Sequence, residues 1–382
     1  MVRAALALED GTVFVGDSFG ARGTVSGEVC FNTSMTGYQE ILTDPSYRGQ
    51  ILAMTAPEIG TYGINETDVE SDALQLSGFI VRHASRIASN FAATGTLNDY
   101  LLKAGIIGLT GIDTRALVRR LRMCGAMTGV LSTEVLDHSQ LVALARSAPS
   151  LVGRDLVREV MPQTAREWTE SLDDWSVPLE QPSEGGVYAA KPASPVGVAK
   201  HVVALHYGMK WNIARHLQSS GCRVTVLPGN ASAADVLKLK PDGIFLSNGP
   251  GDPEALSSCV ETVRLLLGKA PMFGICLGHQ LLALACGAKN FKLKFGHRGA
   301  NQPVMDLASG KVEITAQNHG FAVDEATLPA ELIVTHRNLN DNTIEGLRHK
   351  TALAASVQYH PEAASGPHDA AYLFERFRQM MG

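Results

Sequence analysis

No stretch of this 382-residue chain approaches the ~18 consecutive apolar residues of a membrane-crossing helix. Nor does the N-terminus, MVRAALALEDG, develop a signal-like apolar core before it reaches an acidic turn, so the expected location is cytoplasmic. Positive charge is not in excess. With 33 Lys and Arg against 38 Asp and Glu, the formal net charge is −5, which gives no electrostatic reason to expect nucleic acid or an anionic membrane as partner. The cysteines, at 30, 124, 222, 259, 276 and 286, include no C-x-x-C. That spacing offers no zinc site, and in a long, signal-free chain it argues for reduced thiols rather than a disulfide frame. A P-loop, a G-x-G-x-x-G and an H-E-x-x-H are also missing, so no metal or nucleotide cofactor is expected in this chain. Any linked ATP chemistry has its nucleotide bound elsewhere.

What is present is ordinary for a soluble globular protein: 45% hydrophobic and 19% charged residues, over a length that suggests two domains. The stretch from Pro162 to Lys200 holds five prolines, several acids and a glycine pair without sustained periodicity, which reads as a connection between domains. The expected organisation is a mixed α/β domain over 1–150, a connecting segment over 151–199 and a second domain over 200–382.

In the first domain, ALALEDGTVFVG alternates on either side of Asp10-Gly11, a hairpin signal. GEVCFNTSMTGYQEILTDPSYRGQILAMT reads as strand, polar loop and strand, and LNDYLLKAG and DTRALVRRLRMCG read as glycine-closed helices. After the connection, strand and helix patterns alternate regularly from HVVALHY to GHQLLALACG. That rhythm predicts an open, mostly parallel sheet with helices on both faces. Ligands collect beyond the carboxyl ends of such strands, which is where SNGPGDP and CLGHQ fall.

Most free cysteines are packed core residues, and Cys30, Cys222, Cys259 and Cys286 sit in apolar patterns that fit this. Cys276, in FGICLGHQ, differs. It follows a strand directly, glycines stand at 274 and 278, and a helix begins at once behind it. A sharp strand-to-helix turn needs small neighbours, and the positive end of a helix favours a thiolate. A nucleophile also needs a base and something to orient it. In VQYHPEAA, the proline holds His360 extended, and positions i and i+2 of extended chain share a side, so His360 can meet Glu362. That carboxylate would fix the imidazole tautomer and support its positive form. Other histidines, such as His83, His216 and His349, read as surface or capping residues.

An acyl-transfer site also requires oxyanion donors. The N–H of Leu277, next to the nucleophile, is one candidate; the SNGPGDP loop, where Gly249 and Gly251 allow close backbone approach, can supply the other. Gln280, four residues after Cys276, lies on the same helix face and can touch a substrate held over the sulfur.

G-I-C-L-G-H-Q with H-P-E and S-N-G-P-G-D-P resembles the triad-type (class I) glutamine amidotransferases. FNTSMTGYQEILTDPSYRGQI, IDTRALVRRLR and AQNHGFAV extend the resemblance to the small, glutamine-hydrolysing subunits of carbamoyl phosphate synthetases. The resemblance implies that Cys276 is the nucleophile, His360 the acid and base and Glu362 its orienter. It also implies glutamine contacts at Ser46, Gly249, Gly251, Leu277, Gln280, Asn318, Gly320 and Phe321, with Leu277 and Gly249 holding the oxyanion. His319 lies among these without an assigned role. His206 stands where the family usually has an aspartate. The implied partner is a large subunit that uses ATP and Mg, receives the ammonia and makes carbamoyl phosphate from bicarbonate for arginine and pyrimidine biosynthesis. Two other readings remain: a stand-alone cysteine hydrolase of γ-glutamyl compounds on the same fold, and a non-catalytic regulatory subunit.

Overall fold

The computed structural model describes residues 2–172 and 199–382; most of the expected connecting segment, 173–198, lies outside the described residues. The N-terminal part closes a barrel whose strands run, in spatial order, Arg3–Leu8, Val13–Gly20, Ile107–Thr110, Gly78–Ile80, Gln50–Met54, Thr24–Asn32 and Met127–Ser132. Its first two strands form the hairpin expected around Asp10-Gly11, with Leu6 opposite Phe14. The helices Leu97–Ala104 and Thr114–Cys124 begin at the side-chain caps Thr96 and Asp113 and close at Gly105 and Gly125, as their spacing predicts.

One local reading needs correction. The polar loop between the strands of the FNTSMTG stretch contains a helix, Tyr38–Thr43, and a 3₁₀ turn, Pro45–Tyr47. Tyr38, Ile41 and Leu42 bury the i, i+3, i+4 face of that helix, but six residues are too few for the period to stand out between threonines and a glycine.

Among the described residues, the second sheet has ten strands. Five of them, Cys222–Pro228, Lys200–His206, Gly243–Leu246, Met272–Ile275 and Ala354–Val357, pair in parallel. They are buried on both faces. Val202, Ala204, Phe245 and Phe273 pack with the helices Trp211–Ser219 and Tyr372–Met380, whereas Val203, Leu205, Ile244 and Leu246 pack with Ser257–Leu266 and Leu277–Ala285. This explains why these strands read as continuous apolar runs. Beyond them the sheet continues as an antiparallel meander, Ile344–His349, Leu332–Asn338, Asn290–Asp306 and Val312–Val323. On the other edge, Arg166–Trp168 pairs with Cys222–Pro228, so part of the 151–199 stretch joins the sheet. His216 is not at the surface: it is buried and stacks on Phe374 with ring centroids 4.5 Å apart, because it lies on the core face of its helix. His83 is exposed, and His349 Nδ1 accepts from Ala352 N at 2.9 Å, a turn cap. Among the described residues, no helix is long and apolar enough to cross a membrane.

Candidate active site

The strand Met272–Ile275 ends at Cys276 and the helix Leu277–Ala285 starts immediately after it. Cys276 takes φ 53, ψ −103, a conformation that non-glycine residues rarely adopt and that surrounding structure must hold in place. Two glycines allow it. A Cβ on Gly278 would stand 2.2 Å from Leu246 O, and one on Gly274 would stand 2.7 Å from Gly278 O. The Cys276 N–H donates to Val357 O at 2.9 Å, tying the turn to the neighbouring strand. The sulfur is buried and lies 3.7 Å from Asn318 O.

That neighbouring strand leads directly to His360, whose N–H donates to Ala316 O at 2.9 Å. His360 Nδ1 bonds Glu362 Oε1 at 2.6 Å, the i, i+2 meeting expected from H-P-E. Its other nitrogen, Nε2, is buried without a hydrogen-bond partner among the described residues, and the Cys276 thiol contributes to the ring's electrostatics. Burial works against a charged His360, but the Glu362 carboxylate outweighs it and lifts the imidazole to about 10. Burial likewise works against a charged Glu362, yet Lys210 and His360 hold it down at about 2.

Lys210 was not legible as a site residue. Its Nζ lies 3.0 Å from Glu362 Oε1 and donates to the Ala363 and Ala364 carbonyls at 2.5 and 3.1 Å. A signal existed, since Lys210 follows the carboxyl end of Lys200–His206, where ligands gather. At that same strand end, His206 does locally what an aspartate would do. Its Nδ1 accepts from the Gly208 and Met209 amides at 3.2 and 3.3 Å, and burial lowers it to about 4, which keeps the ring neutral and able to accept.

A cleft of about 400 Å³ opens over Cys276 between the two domains. Ser46, Gly249, Gly251, Gln280, Asn318, Gly320 and Phe321 line it together with Cys276, so the structure brings together every implied glutamine contact except Leu277. Leu277 is buried beside it as the first residue of the helix. Among the described residues, neither the Leu277 nor the Gly249 amide meets a protein acceptor. Gly249 has no room for a side chain, because a Cβ would reach Tyr207 O at 2.4 Å and Leu277 Cδ2 at 2.8 Å. Gln280 Nε2 donates to Phe321 O at 2.8 Å and to Gln358 Oε1 at 3.0 Å. His319 lines the cleft as well, its ring nitrogens 2.7 Å from Phe321 O and from Gln317 Oε1, and burial keeps it well below the usual histidine range.

Sequence reasoning missed Asp44, Asn248, Glu28, Gln50 and Arg298. Asp44 Oδ1 accepts from Ser46 N at 2.9 Å while Oδ2 accepts from Asn318 Nδ2 at 2.8 Å, so one carboxylate sets two cleft residues from different domains. The D-P-S run was a readable capping signal for the first bond; nothing local announces the second. Behind His360 and Asn318 lies a second cavity of about 300 Å³, also lined by Asp44, Lys210 and Ser365.

Comparison with known proteins identifies the family. Residues 202–380 match the model of the family "Glutamine amidotransferase class-I", and residues 6–131 match "Carbamoyl-phosphate synthase small chain, CPSase domain". The carbamoyl phosphate synthase small chain of Rhodopirellula baltica is 62% identical over 379 residues, covering 99% of this chain and 96% of that protein. Those of Syntrophotalea carbinolica and Akkermansia muciniphila are 58% and 51% identical, each over 100% of this chain and 98% of the relative. The resemblance read from the motifs is borne out: the chain belongs to the carbamoyl phosphate synthase small chain family, with a class-I glutamine amidotransferase domain as its C-terminal half.

Proposed function

We propose that this chain hydrolyses glutamine through a covalent thioester on Cys276 and hands the ammonia to a large, ATP-using subunit. The observation that carries the reading is the line Cys276, His360, Glu362, Lys210. A thiol at a strained strand-to-helix turn lies close enough to an imidazole to contribute to its charge, and that imidazole has its Nδ1 held by a buried carboxylate while its Nε2 meets no hydrogen-bond partner among the described residues. The Cys276 thiolate attacks the side-chain amide carbon of glutamine, and the Leu277 and Gly249 N–H groups receive the negative oxygen. As the carbon–nitrogen bond breaks, the His360 imidazolium gives its proton to the departing nitrogen, leaving a γ-glutamyl thioester and ammonia. His360, now neutral, takes a proton from water, which attacks the thioester and releases glutamate and the thiolate. Ser46, Gly251, Gln280, Asn318, Gly320 and Phe321 hold the substrate, Glu362 keeps His360 oriented and charged, and Lys210 keeps the Glu362 carboxylate ionised and in place.

The partner reading rests on the relatives, each named as the small chain of carbamoyl phosphate synthase. In it, ATP and Mg belong to the large subunit, which joins ammonia to bicarbonate, and the carbamoyl phosphate serves arginine and pyrimidine biosynthesis in the cytoplasm. Cys276→Ser tests the division of labour. It keeps nearly the same volume but replaces the sulfur nucleophile by a hydroxyl oxygen. Carbamoyl phosphate formation by the complex should fall by several orders of magnitude with glutamine and persist with free ammonia. Retained glutamine use would remove Cys276 as nucleophile, and loss of ammonia use in a folded complex would break the proposed division between chains.

A further inference from the structure

The helix Trp211–Ser219 begins without a side-chain cap of its own. The first N–H groups of a helix have no partner within it, and a short polar side chain just before them usually accepts their bonds. Here that position is held by Lys210, whose side chain makes no cap bond and is drawn instead to Glu362, Ala363 and Ala364. The bonds come from the other domain. Glu70, in the barrel-domain loop between Glu58–Ile59 and Gly78–Ile80, accepts from Trp211 N through its backbone carbonyl and from Asn212 N through Oε2, each at 3.0 Å.

Glu70 is fixed from the barrel side, where its N–H donates to Thr43 Oγ1 at 2.9 Å. The residue is only 2% exposed, and its contact with Arg215 Nη1 is long at 3.7 Å. A buried acid with so little charge compensation is costly to a fold. Burial lifts the carboxyl to about 8 against the pull of Lys210, the Asn212 N–H and Arg215. Near neutrality it is therefore largely protonated, and it offers Asn212 an acceptor rather than a charge. Beyond the capped turn, Asn212 Nδ2 donates to Glu362 O at 2.9 Å, and Lys210 Nζ lies 3.0 Å from Glu362 Oε1. We propose that Glu70 is a positioning residue for the triad: by capping this helix from the barrel domain it sets Lys210 and Asn212 on Glu362, which orients His360. The amidotransferase domain thus depends on the barrel domain for the alignment of its acid and base. This rests on the reading of Cys276, His360 and Glu362 as the hydrolytic triad.

The test uses the complex with the large subunit and reads steady-state glutamine hydrolysis. Glu70→Ala removes the side-chain acceptor and should lower kcat by about 10- to 100-fold, the range for a slightly misplaced catalytic group, with the KM for glutamine unchanged. Glu70→Gln still offers an oxygen to Asn212 N and should restore most of kcat. Carbamoyl phosphate formation from free ammonia should be unchanged in both, showing that the complex is assembled. Asn212→Ala leaves the cap and removes the bond to Glu362 O, so it reads the other end of the line without disturbing the domain contact. It should lower kcat about tenfold with KM kept. A Glu70→Ala complex with unchanged kcat, or with its loss carried by KM, overturns the inference. So does Glu70→Gln with no more activity than Glu70→Ala, or Asn212→Ala with full kcat. Glutamine use retained in Cys276→Ser would instead fail the triad reading on which the inference rests, whatever the Glu70 variants show.

Discussion

The Asn248 side-chain amide donates to the Ser46 hydroxyl at 2.9 Å, a bond between residues 202 positions apart that joins the SNGPGDP loop to the barrel domain. Asn248 also accepts from Lys210 N at 2.9 Å, so the same side chain touches the loop that carries the Glu362 counter-ion. Ser46 accepts in this bond and keeps its own proton to give. Ser46→Ala should therefore act mainly on substrate binding, raising the KM for glutamine about tenfold for a hydrogen bond of ~1.4 kcal/mol. Steady-state glutaminase kinetics measure this directly, and an unchanged KM would place the barrel domain away from the substrate.

Glu362→Gln should separate orientation from attack. The amide can still bond His360 Nδ1, but without the carboxylate charge both burial and Lys210 push the imidazole down from about 10. The imidazolium is then lost at lower pH. The alkaline limb of kcat should move to lower pH, and kcat near neutrality should fall by roughly 10²- to 10³-fold, less than in Cys276→Ser. A pH–rate profile with an unmoved alkaline limb would contradict the role given to Glu362.

The turn itself makes a claim on stability. Gly278→Ala drives a methyl to 2.2 Å from the Leu246 carbonyl, in backbone that has no flexible end to yield. Unfolding by denaturant should show a loss of at least ~3 kcal/mol. Gly95→Ala, where the added carbon meets only Ile64 at 3.5 Å, should cost far less. Equal costs would mean that the strand-to-helix turn is not held by close backbone approach.

These contrasts show what could be read from residues alone. Gly274 and Gly278 announced the turn because close approach restricts residue type, and H-P-E announced its own geometry because proline fixes the extended chain before it. The parallel strands were legible because burial on both faces makes them continuous apolar runs. The antiparallel meander was not read: the strand Asn290–Asp306 carries register shifts between Lys292 and His297 and between Gly299 and Gln302 that break period-two alternation. Lys210, Asp44, Asn248 and Arg298 escaped for a different reason. Each acts through a partner far along the chain, and no spacing rule reaches that far.

His297 gives a pH test that reads stability rather than activity. Its Nε2 lies 2.7 Å from Asp341 Oδ2 and its Nδ1 3.5 Å from Glu345 Oε1. Burial would lower it, but these carboxylates outweigh burial and raise it to about 9. A histidine raised on folding contributes stability that is complete below its unfolded value of ~6.5 and is lost as pH climbs through 9, up to roughly 3 kcal/mol. The stability gap between wild type and His297→Asn, taken from denaturant midpoints, should therefore be widest below pH ~6.5 and close towards pH ~9. A gap that widens with rising pH would show that His297 is neutral in the folded protein.

The central claim is that glutamine passes through a covalent bond to Cys276. Mixing the complex with glutamine, quenching in acid during turnover and reading the digested small chain by mass spectrometry tests it most directly. The account predicts a mass increase equal to one γ-glutamyl group on the peptide containing Cys276, absent in Cys276→Ser and removed by hydroxylamine. Glutamate production with no adduct on that peptide, or with the adduct on another residue, would contradict it.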